Sequence, residues 1–406
     1  MIELTVKQKR ILIEDSRDQA KILILEGAVR SGKTFLNNML FYKELRKYQG
    51  QNKNFIVMGY TLGSVKRNVL NDLSTMFNID TKTDMSGCFS AFGNKIHCFG
   101  SDKRDSYKNM TGFTAQLWYA NEVSLSHSNS VQEAFQRCSG DNARIIWDSN
   151  PSYPEHKIKT DFIDRSGERL SSGRLRIKSY HFNIDDNQFL SADYIENLKK
   201  STPKGMWYNR SIKGLWVSAE GLVYESWNPE VHCVEPFKIP DDWKRVRGID
   251  FGFTNPLVCL WGALDLDGRL FIYDEHYRAR TLLDVHAEAI KSRKGNFAWT
   301  VADHDSQDVA ELKKYGVRTK PAIKDVGIGL QRVAQRLIIQ DDELPRLFVF
   351  NTCKNLKREM GTYCWIEQKE GRAVQEEPMK INDHCVDTLR YIVMGIDNKR
   401  NLQLFL

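Results

Sequence analysis

Apolar and polar positions follow two different rhythms along this chain, and the change falls close to residue 243. Over residues 21–201, short apolar runs alternate with longer amphipathic stretches, the pattern of parallel strands joined by crossover helices. Strands are predicted at 22–26, 54–58, 95–99, 116–120, 143–148 and 175–180, with helices at 34–48 and 192–198. The second rhythm starts with apolar runs at 247–251, 257–264 and 270–273, the last two joined by the Asp-Leu-Asp-Gly turn at 265–268. That reads as a β-meander, and mixed α/β follows it, including a helix at 307–315 stopped by Gly316. Between the two rhythms, Gly, Pro and four Trp residues occur without periodicity, so 206–243 reads as a linker joining a domain at 1–205 to one at 244–406.

Composition narrows the class. An apolar share of 41% and a charged share of 27% in 406 residues is ordinary globular usage, which excludes disorder as the dominant state. No apolar run approaches the ~18 residues of a membrane helix, and the charged, site-less N-terminus is not expected to be a signal peptide. Eight cysteines contain no CxxC pair, which argues against a zinc ribbon or a disulfide framework and for reduced thiols in a cytoplasm. The net charge of +7 suits a polyanionic partner without demanding one.

The sharpest local signal is Gly27-Ala-Val-Arg30-Ser31-Gly32-Lys33-Thr34, which fits G-x-x-x-x-G-K-S/T in full, after an apolar strand and before a predicted helix. Its glycines let backbone N–H groups curl around a phosphate, Lys33 reaches the terminal phosphates and the Thr34 hydroxyl can ligate Mg²⁺. Arg30 lies within the loop, where a cation can stabilise charge on a transferred phosphoryl group; an ion pair with a surface carboxylate is the plainer reading. A second strand, Leu117-Trp-Tyr-Ala120, runs into Asn121-Glu122. Glu122 is the expected general base, with helix capping as the other reading. Asn121 stands where an Asp is common, and its neutral amide is expected only to order a magnesium-bound water, so Asn121→Asp is expected to be tolerated. A third strand ends in Ser149-Asn150-Pro151, where a side chain can sense the γ-phosphate; an ordinary Asn-Pro turn is the plainer reading.

In the second half, Asp250 lies in a strand pattern, Asp303 ends the short strand Trp299-Thr-Val-Ala-Asp303, and Asp387 lies on a helix edge with His384, three residues earlier. Two acids from strands and one from a helix are the parts of a two-metal site that clamps the oxygens of a phosphodiester, and hard oxygen ligands favour Mg²⁺ or Mn²⁺. Asp383 is expected to be the N-cap of that helix, and Asp265 and Asp267 to be turn residues.

These marks, in their order and spacing, resemble the large terminase subunit of tailed bacteriophages: GAVRSGKT, LWYANE, SNP, GLWVSAEGLVY at 214–224, GIDFG and DHCVDTLRY. The resemblance covers nearly the whole chain. It implies an α/β protein with an N-terminal P-loop ATPase of the additional-strand type, built on a mainly parallel sheet, and a C-terminal RNase H-like nuclease with a mixed sheet. By that resemblance, Gly27, Arg30, Ser31, Gly32, Lys33 and Thr34 match the ATP site with Mg²⁺, and Gln8 the adenine-recognising glutamine. Arg30 matches the cis arginine, Glu122 the catalytic glutamate and Asn150 the coupling motif. Asp250, Asp303 and Asp387 match the ligands of two divalent metals, Mg²⁺ or Mn²⁺, and His384 an accessory catalytic position. The implied partners are double-stranded DNA, a procapsid portal protein and a small terminase subunit, with no membrane and with a homo-oligomer on the portal. The implied location is the host cytoplasm, docked on the procapsid. A helicase-like or repair ATPase with an RNase H-like nuclease domain is the alternative, and a small-molecule kinase with an appended binding module a third reading.

Overall fold

The structure, a computed structural model, describes residues 3–303, 305–366 and 376–397. The chain forms two compact units: Met1–Glu196 with Tyr208–Ser218, and Asn197–Trp207 with Ala219–Leu406.

The first unit is built on a seven-stranded sheet. Its strands are β1 (Ile22–Gly27), β2 (Asn54–Gly59), β3 (Cys88–Ala91), β4 (Asn94–Gly100), β5 (Leu117–Ala120), β6 (Arg144–Ser149) and β7 (Ile177–Phe182), in the spatial order β3-β4-β2-β5-β6-β1-β7. All neighbours are parallel except β3 with β4. Apolar residues fill β1 because both faces of a central parallel strand are covered, and all of it is buried. β3 is absent from the sequence expectation: four residues paired only with β4 are too short to show a period.

Helix α1 (Val6–Arg17) was also not foreseen, although Thr5-Val6-Lys7-Gln8 is a capping box in which the Thr5 and Gln8 side chains each accept from the other's backbone N–H. Helix α2 (Lys33–Lys47) follows the phosphate loop. Arg144 of β6, 1% exposed, bridges Asp15 of α1 and Glu44 of α2, so a buried ion triad ties these three elements together.

The second unit also carries a seven-stranded sheet, now mixed. Its strands are β8 (Cys233–Val234), β9 (Lys244–Asp250), β10 (Leu257–Leu264), β11 (Leu270–Arg278), β12 (Phe297–Ala302), β13 (Lys320–Pro321) and β14 (Leu347–Phe350), ordered β13-β12-β9-β10-β11-β14-β8. The meander β9-β10-β11 is antiparallel, and β12 lies parallel to β9. Helix α3 (His384–Ile396) packs on this sheet so closely that a Cβ on Gly248 of β9 would come within 2.7 Å of Ile392 and 2.9 Å of Thr388.

The stretch expected to be a linker, 206–243, is divided between the units. In the first, the Ser211 carbonyl accepts from Val29 N–H (3.0 Å) and Trp216 Nε1 donates to Glu26 (3.0 Å). In the second, Val223 and Tyr224 are buried, and Trp207, Trp227 and Trp243 pack against the core. Aromatic residues without periodicity here are anchors, each seated in a core already built by other elements.

Candidate active sites

The phosphate loop springs from the C-terminal end of β1. Gly27 has φ 129°, and a Cβ there would stand 2.1 Å from the Phe182 carbonyl oxygen, so only glycine fits. Gly32, at φ 87°, is the N-cap of α2. Lys33 Nζ donates to the carbonyls of Gly27 (2.9 Å) and Ala28, and Ser31 Oγ donates to Ala28 (2.7 Å). Burial lowers the Lys33 pKa to about 8, opposed by the charges of Asp148, Glu26 and Glu122. A helix N-terminus and a desolvated ammonium make this an anion site.

Arg30 is exposed, holds φ 58°, and its carbonyl accepts from Asn187 Nδ2 (2.7 Å). Gln8 is 2% exposed; its Oε1 accepts from Thr5 N–H and its Nε2 donates to the Gly32 carbonyl (3.1 Å). Both ends of the amide are thus engaged, and Gln8 acts as a brace between α1 and the loop.

Glu122 follows β5 in a left-handed conformation (φ 53°, ψ 52°). Its carboxylate accepts from Asn150 Nδ2 (3.0 Å), so the strand ends of β5 and β6 bring the expected base and the expected coupling residue into contact. Burial raises its pKa, the neighbouring Asp148 charge adds to that, and Lys33 and Asn150 oppose it.

Asp148 is the residue that the sequence reading missed. It lies on β6, is 1% exposed, and accepts from Glu122 N–H (2.8 Å), Asn121 Nδ2 (3.0 and 3.3 Å) and Asn37 Nδ2 (3.4 Å). Burial raises its pKa, against these donors and Lys33. The available signal was an acid on an otherwise apolar strand, directly before Ser149-Asn150-Pro151. Asn121 differs from expectation. Its Nδ2 faces Asp148 and Thr34 Oγ1 (3.4 Å), while its Oδ1 accepts from Asn68 Nδ2 (3.0 Å). A carboxylate oxygen that already takes N–H bonds turns the amide nitrogen toward itself, so the Asn121 nitrogen faces Asp148 and Thr34 while its oxygen is on the Asn68 side.

In the second unit, Asp250 ends β9, 8% exposed. Ala302 of β12 pairs with Ile249, and Asp303 N–H donates to the Ile249 carbonyl (3.2 Å), which sets Asp303 at the same sheet edge. Asp387 lies in the first turn of α3, which packs on β9. Burial raises the Asp250 pKa, and the charges of Asp387 and Asp303 add to it while His384 opposes. His384 Nδ1 lies 3.2 Å from Asp250 Oδ2, a contact that raises the histidine's pKa.

Cations face the other two acids: Lys324 pairs with Asp303, and Arg390 Nη2 stands 2.9 Å from Asp387 Oδ1. Among the described residues, no three His, Cys, Asp or Glu side chains are grouped closely enough to hold a metal ion as placed. The three acids fit hard divalent cations in chemistry, since Asp387 and Asp303 each raise the cost of charge on the buried Asp250 and a cation would relieve it.

Asp383 occupies the N-cap position of α3 but makes no side-chain cap bond, contrary to expectation. The capping carboxylate is Glu359, which accepts from Cys385 N–H (2.6 Å) and Val386 N–H (3.2 Å). Asp383 lines a cavity of 450 Å³ with Asp387, Lys324 and Arg390. Asp265 is a turn residue as expected, its Oδ1 accepting from the backbone N–H groups of Asp267 and Arg269.

Residues 24–227 match the family model of the terminase large subunit, T4likevirus-type, N-terminal, which alone spans half the chain, and residues 250–394 match the terminase RNase H-like domain. The chain belongs to the large terminase family. Among solved structures, it is similar to the large terminase of a thermophilic bacteriophage, with 26% identity and a TM-score of 0.80 over 97% of this chain and 99% of that one. The complex of that protein with ADP aligns at 26% identity and TM-score 0.78, covering 96% and 98%. Its complex with ATP-gamma-S aligns at 25% and 0.77, also covering 96% and 98%. No curated protein matches the chain. This large terminase therefore joins an ATPase to an RNase H-like nuclease and acts in DNA packaging; nothing found favours the helicase or kinase readings. No helix among the described residues is long and apolar enough to cross a membrane.

Proposed function

We propose that this large terminase drives double-stranded DNA into a procapsid by hydrolysing ATP at the Lys33–Glu122 site, and cuts concatemeric DNA at the acids Asp250, Asp303 and Asp387. The observation that carries the ATPase half is the Asn150–Glu122 contact beside the phosphate loop. Lys33 and the N-terminus of α2 hold the terminal phosphates, and Arg30 meets charge that grows on the transferred group. Glu122 takes a proton from the attacking water as its oxygen bonds to the γ-phosphorus and the bond to the β–γ bridging oxygen breaks. Asn150 orients Glu122 and senses that change. Mg²⁺, bound with ATP and contacted by Thr34, would neutralise phosphate charge. The similar structures solved with ADP and ATP-gamma-S support nucleotide binding by this chain.

In the nuclease unit, Asp250, Asp303 and Asp387 would hold two divalent ions, Mg²⁺ or Mn²⁺, which when bound would supply Lewis acidity to water and to the leaving oxygen. For that, the carboxylates must exchange Lys324 and Arg390 for the ions, while His384 stays on Asp250. The fitting partners are a portal protein, a small terminase subunit that supplies sequence recognition, and further copies of this chain around the DNA, in the host cytoplasm. DNA contact would be made to phosphates, because a motor that moves over every sequence cannot depend on base edges. Lys33→Ala should abolish ATP hydrolysis while Mn²⁺-dependent plasmid cutting survives; loss of both with the fold intact by circular dichroism would refute two separate sites.

A further inference from the structure

We infer that Asp148 is the acid of the ATP site that Asn121 does not supply: its carboxylate fixes the Asn121 amide against Thr34 and holds the backbone of Glu122. It also provides the negative charge that a magnesium nucleotide requires behind Thr34. The inference rests on the ATPase reading above and names a residue that this reading does not use. Water bound to a cation points its hydrogens outward and must find acceptors. The acceptor atom of Asn121 is directed to Asn68, and it is the nitrogen, a donor, that faces Thr34 Oγ1. Asp148 lies directly behind that nitrogen, with Oδ1 and Oδ2 both within hydrogen-bond distance of it. The same Oδ1 receives the Glu122 N–H at 2.8 Å, so one carboxylate sets the orientation of Asn121 and of the residue that carries the base.

Two alternatives fail on the geometry. A purely structural buried acid would be paired with a structural cation, as Asp15 and Glu44 are with Arg144, whereas the hydrogen bonds to Asp148 come from two amides and one backbone N–H of site residues or α2, and the cation whose charge it feels is Lys33 of the phosphate loop. Glu122 cannot fill both roles, since its carboxylate is held by Asn150. The acid expected at position 121 therefore stands on β6 and an amide takes its place on β5, a reversal of the expected positions. Asp148 is a positioning residue, acting through Asn121 and Glu122.

The reversal makes a charge-swap test. Binding of a fluorescent ADP analogue is measured over a Mg²⁺ titration, beside ATP turnover and melting temperature, for Asp148→Asn, Asn121→Asp and the double swap. Asp148→Asn should raise the Mg²⁺ midpoint for nucleotide binding about tenfold or more, the usual scale for losing a partner that orients a metal site. Asn121→Asp alone, expected from the sequence to be tolerated, should instead be impaired, because it sets two buried carboxylates ~3 Å apart. The double swap should recover both the Mg²⁺ midpoint and turnover. An unchanged midpoint in Asp148→Asn, or a double swap no better than that single variant, overturns the inference. If Asp148→Asn does not fold, the double swap decides alone: recovered folding with Mg²⁺-dependent binding supports it, and no recovery refutes it. Failure of the ATPase reading looks different, since Lys33→Ala would then bind nucleotide as the parent does.

Discussion

In the ATPase unit the acids Asp148 and Glu122 are held by neutral donors, the amides of Asn37, Asn121 and Asn150 and one backbone N–H, whereas in the nuclease unit Asp303 and Asp387 face full cations, Lys324 and Arg390. The difference bears on readiness. Amides fix geometry and carry no formal charge, and Lys33, the cation whose charge both acids feel, belongs to the phosphate loop itself, so the first site has its shape before any ligand arrives. Ion pairs cancel the charge that a divalent ion would need, so the second site is completed only when its side chains move from protein cations to metal. Nucleotide hydrolysis should therefore tolerate changes in cation supply better than DNA cutting does.

The largest effects should separate the two sites. Glu122→Gln keeps size and hydrogen bonding but removes the proton acceptor, so ATP turnover should fall ~10²-fold or more with nucleotide still bound. Asp250→Asn should remove most plasmid cutting at every Mn²⁺ concentration and leave ATP turnover intact. A Glu122→Gln variant that also stops cutting plasmid would break the comparison, since it would tie the second site to the first. Arg30→Ala should lower turnover more than nucleotide affinity, because charge at the transferred group appears in the transition state; a pure affinity loss would make Arg30 a ground-state contact.

A milder effect follows from pH. Lys33, with its pKa lowered to about 8 by burial, must be protonated to hold phosphate. Free protein loses that proton above pH 8, so nucleotide affinity should weaken by about tenfold per unit beyond it, as one proton is taken up on binding. A dissociation constant that is flat to pH 10 would contradict this.

The smallest effect lies beneath the nuclease site. Burial raises the Glu359 pKa to about 7. The folded state thus favours the protonated acid, so its contribution to stability is full below the ordinary glutamate range and is lost as pH rises through 7. Glu359→Gln should flatten the melting temperature between pH 5 and 8 (roughly, from the ordinary and raised pKa values), while an unaltered slope would place the titration elsewhere.

How much of this could be read beforehand depended on sequence distance. Strand and helix periods are local, so β1, β2, β4 to β7 and β10 were legible to within a few residues. β11 ran on to Arg278, past the expected 273, because polar residues 274–278 still pair with β10. The phosphate loop was legible because its function lies in eight consecutive residues. Asp148 and Glu359 were not, because each takes its meaning from N–H groups 26 or more positions away that only folding brings near. Gln8 was assigned to adenine recognition by resemblance alone, and its bonds to the Thr5 N–H and the Gly32 carbonyl were not legible, because the helix that carries it has a weak apolar face.

The course of the backbone near Ser218 has a consequence for anyone dividing the protein. Because residues 197–207 belong to the second unit, 208–218 to the first and 219 onward to the second again, the chain is stitched across the boundary three times, and no single cut yields two whole halves. A fragment ending at 205 leaves behind the Ser211 carbonyl that accepts from Val29 and the Trp216 indole that donates to Glu26, so its phosphate loop stands without that backing. A fragment ending at 218 keeps both, though it strips residues 197–207 from the other half. An isolated ATPase that is unstable when trimmed at 205 and sound when trimmed at 218 would be the signature of a sewn seam rather than a hinge.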